Sequence, residues 1–216
     1  MIVIENLDVH GVARAIYSAR NAMNSWDKSD SDFETDIMGE NDLKLAKQLV
    51  KAGTDHSKFM RMIMVTLDII APMYWWKEAS TYKVGTVRNS CSTMHTIHQK
   101  EFTLDDFSHE HLDRYKDIIP DHVDGNPYDI LNSIIECLNY AREYYLETKD
   151  KKYWWQMIQL LPSSYNQRST VQLNYAVLRN IYHARKGHKL DEWKIFCKWI
   201  EEELPYSELI TMEGLE

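Results

Sequence analysis

The chain has 216 residues and a formal net charge of −8, from 25 Lys and Arg against 33 Asp and Glu. This acidic balance argues against a protein that binds long nucleic acids or an anionic membrane surface, because both partners require an excess of cations. The three cysteines, Cys91, Cys137 and Cys197, match no disulfide framework or zinc ribbon, so a reducing, cytoplasmic location is favoured.

The N-terminal half is predicted to alternate between helices and polar segments. Apolar residues three and four apart predict a helix over residues 9–23, and the acidic, serine-rich residues 24–36 predict a solvated loop. A calcium loop is the alternative there, although the glycine turn and the terminal glutamate of such loops are missing. Asn41 or Asp42 is expected to cap a helix that runs to Lys51 and stops at Gly53. Residues 62–70 predict a strand buried on both faces, and Pro72 the start of another helix.

The C-terminal half is predicted to be mostly helical. A short helix is expected over residues 105–115, a loop over 122–127, and helices over 127–149, 152–161 and 190–204. Residues 171–175 alternate as a strand does, whereas the spacing from Leu178 onward is helical. The buried stripe of the long helix is expected at Ile130, Ile134, Cys137, Leu138, Ala141 and Tyr145.

Composition and patterning together predict one helix-rich domain over residues 1–216. Only 7 Gly and 5 Pro occur, and no linker interrupts the chain. No apolar run approaches the roughly 20 residues that are needed to cross a bilayer, so no membrane segment is predicted. Residues 1–13 lack the basic and apolar regions of a signal peptide.

The positive charges are concentrated in two segments. Residues 77–100 carry a net charge of +3, and residues 163–189 carry a net charge of +5. Because phosphate groups are bound by Arg, Lys and N–H donors, these segments predict a phosphate site, with ordinary basic surface as the alternative. Between the first cations lie Gly85, Ser90 and Ser92, which can bring N–H and hydroxyl donors close to a phosphate or a flavin edge. No P-loop and no GxGxxG pattern is present.

Catalytic and metal-binding roles are less strongly indicated. Cys91 could act as a nucleophile if Arg88 or His95 lowered the pKa of its thiol, but a lone cysteine is more often simply packed. The histidines at HxxH and HxH spacings lack a partner motif, so no metal site is predicted. No catalytic residue is assigned.

The order of these features resembles the flavin-dependent thymidylate synthases, the ThyX family, over most of the chain. The family's early Ala-Arg, its Ser-x-Phe-Glu-His element and its strand ending in proline have counterparts in Ala19-Arg20, in Ser57-Lys58-Phe59 and in residues 62–72. Counted from Pro72, the family signature RHRxxSxNExSxR falls on Thr81, Tyr82, Lys83, Thr86, Arg88, Asn89, Cys91 and Thr93, none of which is identical. Later counterparts are Leu161-Pro162, Asn174, Arg179, Arg185 and residues 192–195.

The resemblance implies an α/β (α+β) fold, helix-rich with a central mixed sheet, that assembles as a homotetramer with FAD between subunits. It implies methylation of dUMP with methylenetetrahydrofolate and NADPH as co-substrates. The residues expected to contact FAD are Ser57, Lys83, Thr86 and Asn89. The residues expected to contact the nucleotide are Arg88, Ser90, Cys91, Ser92, Thr93, Arg168, Arg179 and Arg185, with Arg88, Arg168 and Arg179 as replacements for cations lost from the signature.

Two other functions stay open at the level of the sequence. The replaced signature is compatible with a catalytically inactive nucleotide-binding protein on the same fold. It is also compatible with a related enzyme that acts on another pyrimidine nucleotide. In each case the expected partner is a small nucleotide rather than a long nucleic acid or a membrane.

Overall fold

The structure is a computed structural model that describes residues 1–115 and 118–213; residues 116, 117 and 214–216 lie outside it. Within the described residues, four strands form an antiparallel sheet in the order β1-β2-β4-β3. The strands are β1 (Val3–His10), β2 (Met64–Pro72), β3 (Val87–Ser90) and β4 (Asn166–Asn174). The helix-rich α+β class is therefore confirmed, whereas the prediction of a mixed sheet is corrected to an antiparallel one.

Helices account for most of the remaining regular structure in the described ranges. The α-helices are α1 (Val12–Ala19), α2 (Glu40–Lys51), α3 (Met73–Ala79), α4 (Thr93–Thr96), α5 (Pro127–Thr148), α6 (Lys151–Leu160), α7 (Tyr175–Arg185), α8 (Asp191–Glu203) and α9 (Glu208–Thr211). Single 3₁₀ turns occupy Arg20–Met23, Trp26–Lys28, Lys58–Arg61 and Leu104–Asp106. None of the helices in these ranges combines the length and the apolar character that crossing a membrane requires.

The described residues pack as two compact units that interleave along the chain. The first unit comprises Met1, Ile70–Glu78 and Ser90–Ser169. The second unit comprises Ile2–Ile69, Ala79–Asn89 and the chain from Thr170 onward. The prediction of a single domain over residues 1–216 stays a prediction.

In the first unit, the hairpin of α5 and α6 covers an aromatic core. Asn126 begins α5 by accepting a hydrogen bond from the backbone N–H of Asp129, whose carboxylate accepts one in return from the N–H of Asn126. Residues on one side of α5, at spacings of three and four, are buried with Met157 of α6 and with Phe102 and Phe107. They are Leu131, Ile135, Leu138 and Ala141.

In the second unit, the acidic loop of residues 24–36 supplies the caps of two helices. The Asp36 carboxylate accepts hydrogen bonds from the backbone N–H groups of Gly11, Val12 and Ala13, at 2.6, 3.1 and 2.8 Å, at the start of α1. The Asp30 carboxylate does the same for the N–H groups of residues 41 and 42 at the start of α2, at 2.8 and 3.0 Å. These bonds satisfy N–H groups that a helix leaves unpaired at its first turn. The loop is therefore structural.

A buried ion pair joins α2 to the end of α1. Asp42 is completely buried, and its Oδ1 accepts a hydrogen bond from Nε of Arg20 at 2.6 Å and forms an ion pair with Nη2 at the same distance. Its Oδ2 accepts hydrogen bonds from the hydroxyls of Ser29 and Ser31, also at 2.6 Å each. Burial alone raises the pKa of Asp42, but the bonds from Ser29, Ser31 and Arg20 outweigh that effect and lower it below its ordinary value.

Several predictions of local structure are wrong in detail. The predicted helix over residues 9–23 is the end of β1, then α1 and a 3₁₀ turn. Asn41 and Asp42 do not cap α2, because Asp30 supplies that carboxylate and Gly39 is the cap residue. Strand β2 alternates between buried and half-buried residues, since only one of its faces lies in the core. The helix expected over 105–115 is reduced to the turn Leu104–Asp106. The stripe of α5 is shifted, which leaves Cys137 exposed.

Candidate functional site

A small pocket in the second unit brings together two of the residues that the resemblance assigned to ligand binding. Its volume is about 130 Å³, and it lies where the C-terminal end of α2, the turn Lys58–Arg61 and the first half of α7 meet. Ser57 and Arg179, which are 122 positions apart in the sequence, both line it. The complete lining is Val50, Gly53, Thr54, Ser57, Met60, Arg61, Ala176 and Arg179.

The pocket is shaped by the chain reversal after α2. Gly53 has a φ of 100°, a left-handed conformation that glycine adopts readily, and this ends the helix. The Gly53 carbonyl then accepts hydrogen bonds from the backbone N–H groups of His56 and Ser57, at 3.1 and 3.2 Å. The 3₁₀ turn that follows buries Phe59 and Met60, which leaves Ser57 and Arg61 on its outer side.

The two arginines of the pocket are held differently. Arg179 donates from Nη1 to the carbonyl oxygens of Leu209, Ile210 and Met212, at 3.2, 3.0 and 2.6 Å, so part of its guanidinium anchors the C-terminal segment. Burial lowers the pKa of Arg179, with Glu213 acting in the opposite direction, and the side chain stays charged at neutral pH. The side chain of Arg61 is exposed and has no hydrogen bond or ion pair within the described parts of the chain.

Arg185 belongs to a separate aromatic cluster in the second unit. Its Nε donates a 2.8 Å hydrogen bond to the hydroxyl of Tyr82, and its guanidinium lies 5.0 Å from the centre of the buried Trp193 ring. Cations are attracted to the face of an aromatic ring at this distance. Tyr82 occupies the second position of the aligned signature, where the family has a histidine. The residue at that position therefore accepts a hydrogen bond from Arg185, which was predicted to contact the nucleotide.

Four of the predicted contacts lie in and just before β3, with Lys83 and Thr86 in the preceding loop and Arg88 and Asn89 in the strand. Lys83 and Asn89 are exposed, whereas Thr86 and Arg88 are half-buried. Gly85, with a φ of 77°, lets the loop lie against the start of α7, since a Cβ there would come within 3.1 Å of both Asn174 and Val177. Burial lowers the pKa of Arg88. Thr86 Oγ1 is buried and makes no hydrogen bond to a described residue.

The remaining predicted contacts lie in the first unit. They are Ser90, Cys91, Ser92, Thr93 and Arg168. The Cys91 N–H donates to the carbonyl of Arg168 at 3.0 Å, and Ser92 caps the short helix α4 by accepting a bond from the N–H of His95. The Cys91 thiol is exposed and lies 3.7 Å from Thr96 Oγ1. A nucleophilic role for Cys91 stays a prediction.

Sequence reasoning did not identify Arg61 as part of the site. Arg61 takes the position of the histidine in the family's Ser-x-Phe-Glu-His element, which was matched only over Ser57-Lys58-Phe59. Its separation of four residues from Ser57, across a single turn, is the signal that could have indicated it. Among the described residues, no group of three or more His, Cys, Asp and Glu is placed to hold a metal ion.

Comparison with known proteins identifies the fold. No family sequence model matches the chain, and no curated protein matches it by sequence. The flavin-dependent thymidylate synthase ThyX from Helicobacter pylori, solved with FAD and dUMP, is similar with a TM-score of 0.67 and 18% identity, over 98% of this chain and 97% of that one. A second structure of that enzyme with FAD and dUMP gives a TM-score of 0.66 and 16% identity, over 99% and 98% of the two chains.

A third similar structure is the UMP/dUMP methylase PolB from Streptomyces cacaoi, bound with 5-Br dUMP. It has a TM-score of 0.57 and 15% identity, over 93% of this chain and 88% of that one. The similarity to these structures extends over nearly the whole chain although few residues are shared. The fold predicted from the order of sequence features is confirmed: this chain has the ThyX fold.

Proposed function

We propose that the protein binds FAD and a pyrimidine nucleotide and methylates dUMP to dTMP. The observation that carries the proposal is the meeting of Ser57, Arg61 and Arg179 in one pocket of a chain with the ThyX fold. The similar H. pylori structures contain FAD and dUMP, and the similar PolB structure contains a brominated dUMP. The comparison therefore supports a small pyrimidine nucleotide as the substrate class.

The residues of the pocket fit an anionic, amphipathic ligand. Arg61 and Arg179 supply cations, and Ser57 and Thr54 supply hydroxyl donors. The rest of the lining is apolar or glycine, and no carboxylate among the described residues lines the pocket. FAD needs such a combination because its diphosphate is charged while its ring system is largely apolar. The unpaired hydroxyl of Thr86, a buried group that would normally have a partner, also supports a ligand contact in this unit.

The size of the pocket supports binding of only part of the cofactor by these residues. A volume of about 130 Å³ is below the several hundred Å³ of a typical site for a small ligand. We therefore propose that the protein is a homotetramer in which a neighbouring subunit completes the flavin site, as the resemblance implies.

When bound, FAD would supply the hydride-transfer chemistry, with NADPH and methylenetetrahydrofolate as co-substrates. The protein's own residues would bind and position the charged groups of the ligands. Arg61 is available to pair with a phosphate because no described residue neutralises it. Arg179 is fixed by its three carbonyl contacts, so its charge is presented without the entropy cost of ordering a flexible side chain.

The first test is whether the purified protein takes up FAD and acts on dUMP. We expect a flavin absorbance spectrum that stays with the protein after gel filtration, and release of tritium from dUMP labelled at C5. Protein that takes up no flavin and releases no tritium would contradict the proposal.

Replacing Arg61 tests the assigned pocket. We expect Arg61→Ala to weaken FAD or dUMP binding by about tenfold or more, because a charge-assisted hydrogen bond contributes roughly 1.5–3 kcal/mol. Titration of the flavin spectrum and calorimetry with dUMP provide the measurement. Lys58→Ala is the matched control, since Lys58 is an exposed cation on the same turn that does not line the pocket. Equal affinities of the two variants would show that Arg61 has no role.

The second candidate is a nucleotide-binding protein without catalytic activity. It is favoured by the contacts of Arg185 with Tyr82 and Trp193, because a guanidinium that was expected to bind the nucleotide is bound within the protein instead. Uptake of FAD and dUMP without tritium release would support it. Turnover of labelled UMP but not dUMP would instead identify a related pyrimidine specificity.

The three free cysteines favour the reducing cytoplasm as the location.

A further inference from the structure

A second cavity lies in the second unit, on the exposed side of α2. Its volume is about 390 Å³, which is within the range of cavities that bind small molecules. Four of its lining residues, Asn41, Lys44, Leu45 and Gln48, lie three and four positions apart and so share one face of the helix. Arg20 and Lys28, from the two 3₁₀ turns before α2, complete the lining.

The charges of this cavity are all positive. Arg20 is 6% exposed, and its charge is balanced by the buried Asp42. Its side chain is therefore held in place and forms a polar part of the cavity wall. Lys28 and Lys44 are exposed and make no ion pair with any residue in the described ranges. They therefore contribute two uncompensated cations to a cavity that no described carboxylate lines.

The other lining groups add selectivity beyond charge. Asn41 and Gln48 each carry an amide that both donates and accepts hydrogen bonds, and Leu45 between them offers an apolar contact. The backbone N–H groups at the start of α2 take no part, because the Asp30 carboxylate already binds them. The residues of this cavity and those of the pocket around Ser57 do not overlap.

We infer that this cavity is a second anion-binding site, which takes a phosphorylated small molecule carrying polar groups on its organic part. The two lysines pair with the phosphate, and the two amides bind hydroxyl or ring groups. The group that the site recognises is a phosphate monoester, which both sugar phosphates and nucleotides carry. The site is independent of the proposed flavin and dUMP chemistry.

Calorimetry with ribose 5-phosphate and with AMP as probes tests the inference on the full chain. The variant Lys28→Ala with Lys44→Ala is compared with Lys47→Ala with Lys51→Ala. The second pair removes the same charge from the same region, but neither residue lines the cavity. We expect the first double variant to bind the tighter probe at least tenfold more weakly than the wild type, and the control to stay within twofold.

Two further measurements keep the site separate from the first pocket. Arg61→Ala is expected to retain binding of ribose 5-phosphate, and thermal melting of both double variants should stay near that of the wild type, since all four lysines are at least partly exposed. Equal binding by the two double variants, or no binding of either probe by the wild type, would overturn the inference. Tighter binding of AMP than of ribose 5-phosphate would support a nucleotide as the occupant, and the reverse a sugar phosphate.

Discussion

At the scale of single residues, the buried Arg20–Asp42 ion pair is the contact whose disruption is expected to destabilise the fold most. Both side chains are removed from water, so the loss of either leaves a buried charge without its partner. Asp42→Asn is expected to cost about 3–5 kcal/mol of folding free energy, measured by urea denaturation. Replacement of both residues, as Arg20→Met with Asp42→Leu, should recover part of that loss because no unpaired charge remains.

The same pair predicts how stability depends on pH. The pKa of Asp42 is lowered in the folded state. Its contribution to the free energy of unfolding is therefore fully present above the pKa of an unfolded carboxyl group, about 4, and is lost as the pH falls through the lower folded value. The free energy of unfolding of Asp42→Asn should therefore fall less steeply below about pH 4 than that of the wild type.

The site was partly predictable at this scale. Ser57 and Arg179 were expected to contact a ligand from the order of sequence features, and both line one pocket, while their binding roles stay a prediction. Arg61 was not predicted, because the family element was matched only as far as Phe59 although a basic residue four positions after Ser57 is a local signal. The engagement of Arg185 by Tyr82 could not be foreseen either, since the two residues are 103 positions apart and meet only through tertiary packing.

At the scale of elements, α1 depends on a carboxylate that lies outside it. Asp36→Ala removes the acceptor of three backbone N–H groups and is expected to cost about 1–2 kcal/mol in urea unfolding. Glu34→Ala is the control, since the exposed Glu34 belongs to the same loop and its carboxylate caps no helix. A similar loss in the two variants would contradict the capping role of Asp36.

The elements differ in how well the sequence predicts them. Helix α5 has its cap at Asn126, a proline at its first position and spacings of three and four, so its bounds were predicted to within one residue. Strand β1 was missed because it lies at the edge of the sheet with most residues exposed, so burial imposes no alternation on its sequence. Its conformation depends on pairing with β2, which a local pattern cannot reveal.

At the scale of the whole molecule, ligand binding should stabilise the fold if the proposed function holds. FAD at a free concentration one hundred times its Kd is expected to raise the free energy of unfolding by about 2.7 kcal/mol. Thermal denaturation with and without FAD is the measurement. If neighbouring subunits complete the site, this gain should grow with protein concentration, and its independence of concentration would contradict the proposed homotetramer.

The interleaving of the two units has a consequence for dissection of the protein. The chain passes from one unit to the other after Met1, Ile69, Glu78, Asn89 and Ser169, so no continuous fragment consists of one complete unit alone. Cutting the gene at any single position would therefore divide at least one unit. Proteolysis at one exposed loop should leave both pieces associated under native conditions, and recombination with a homologue by a single crossover should yield chimeras in which at least one unit has mixed parentage.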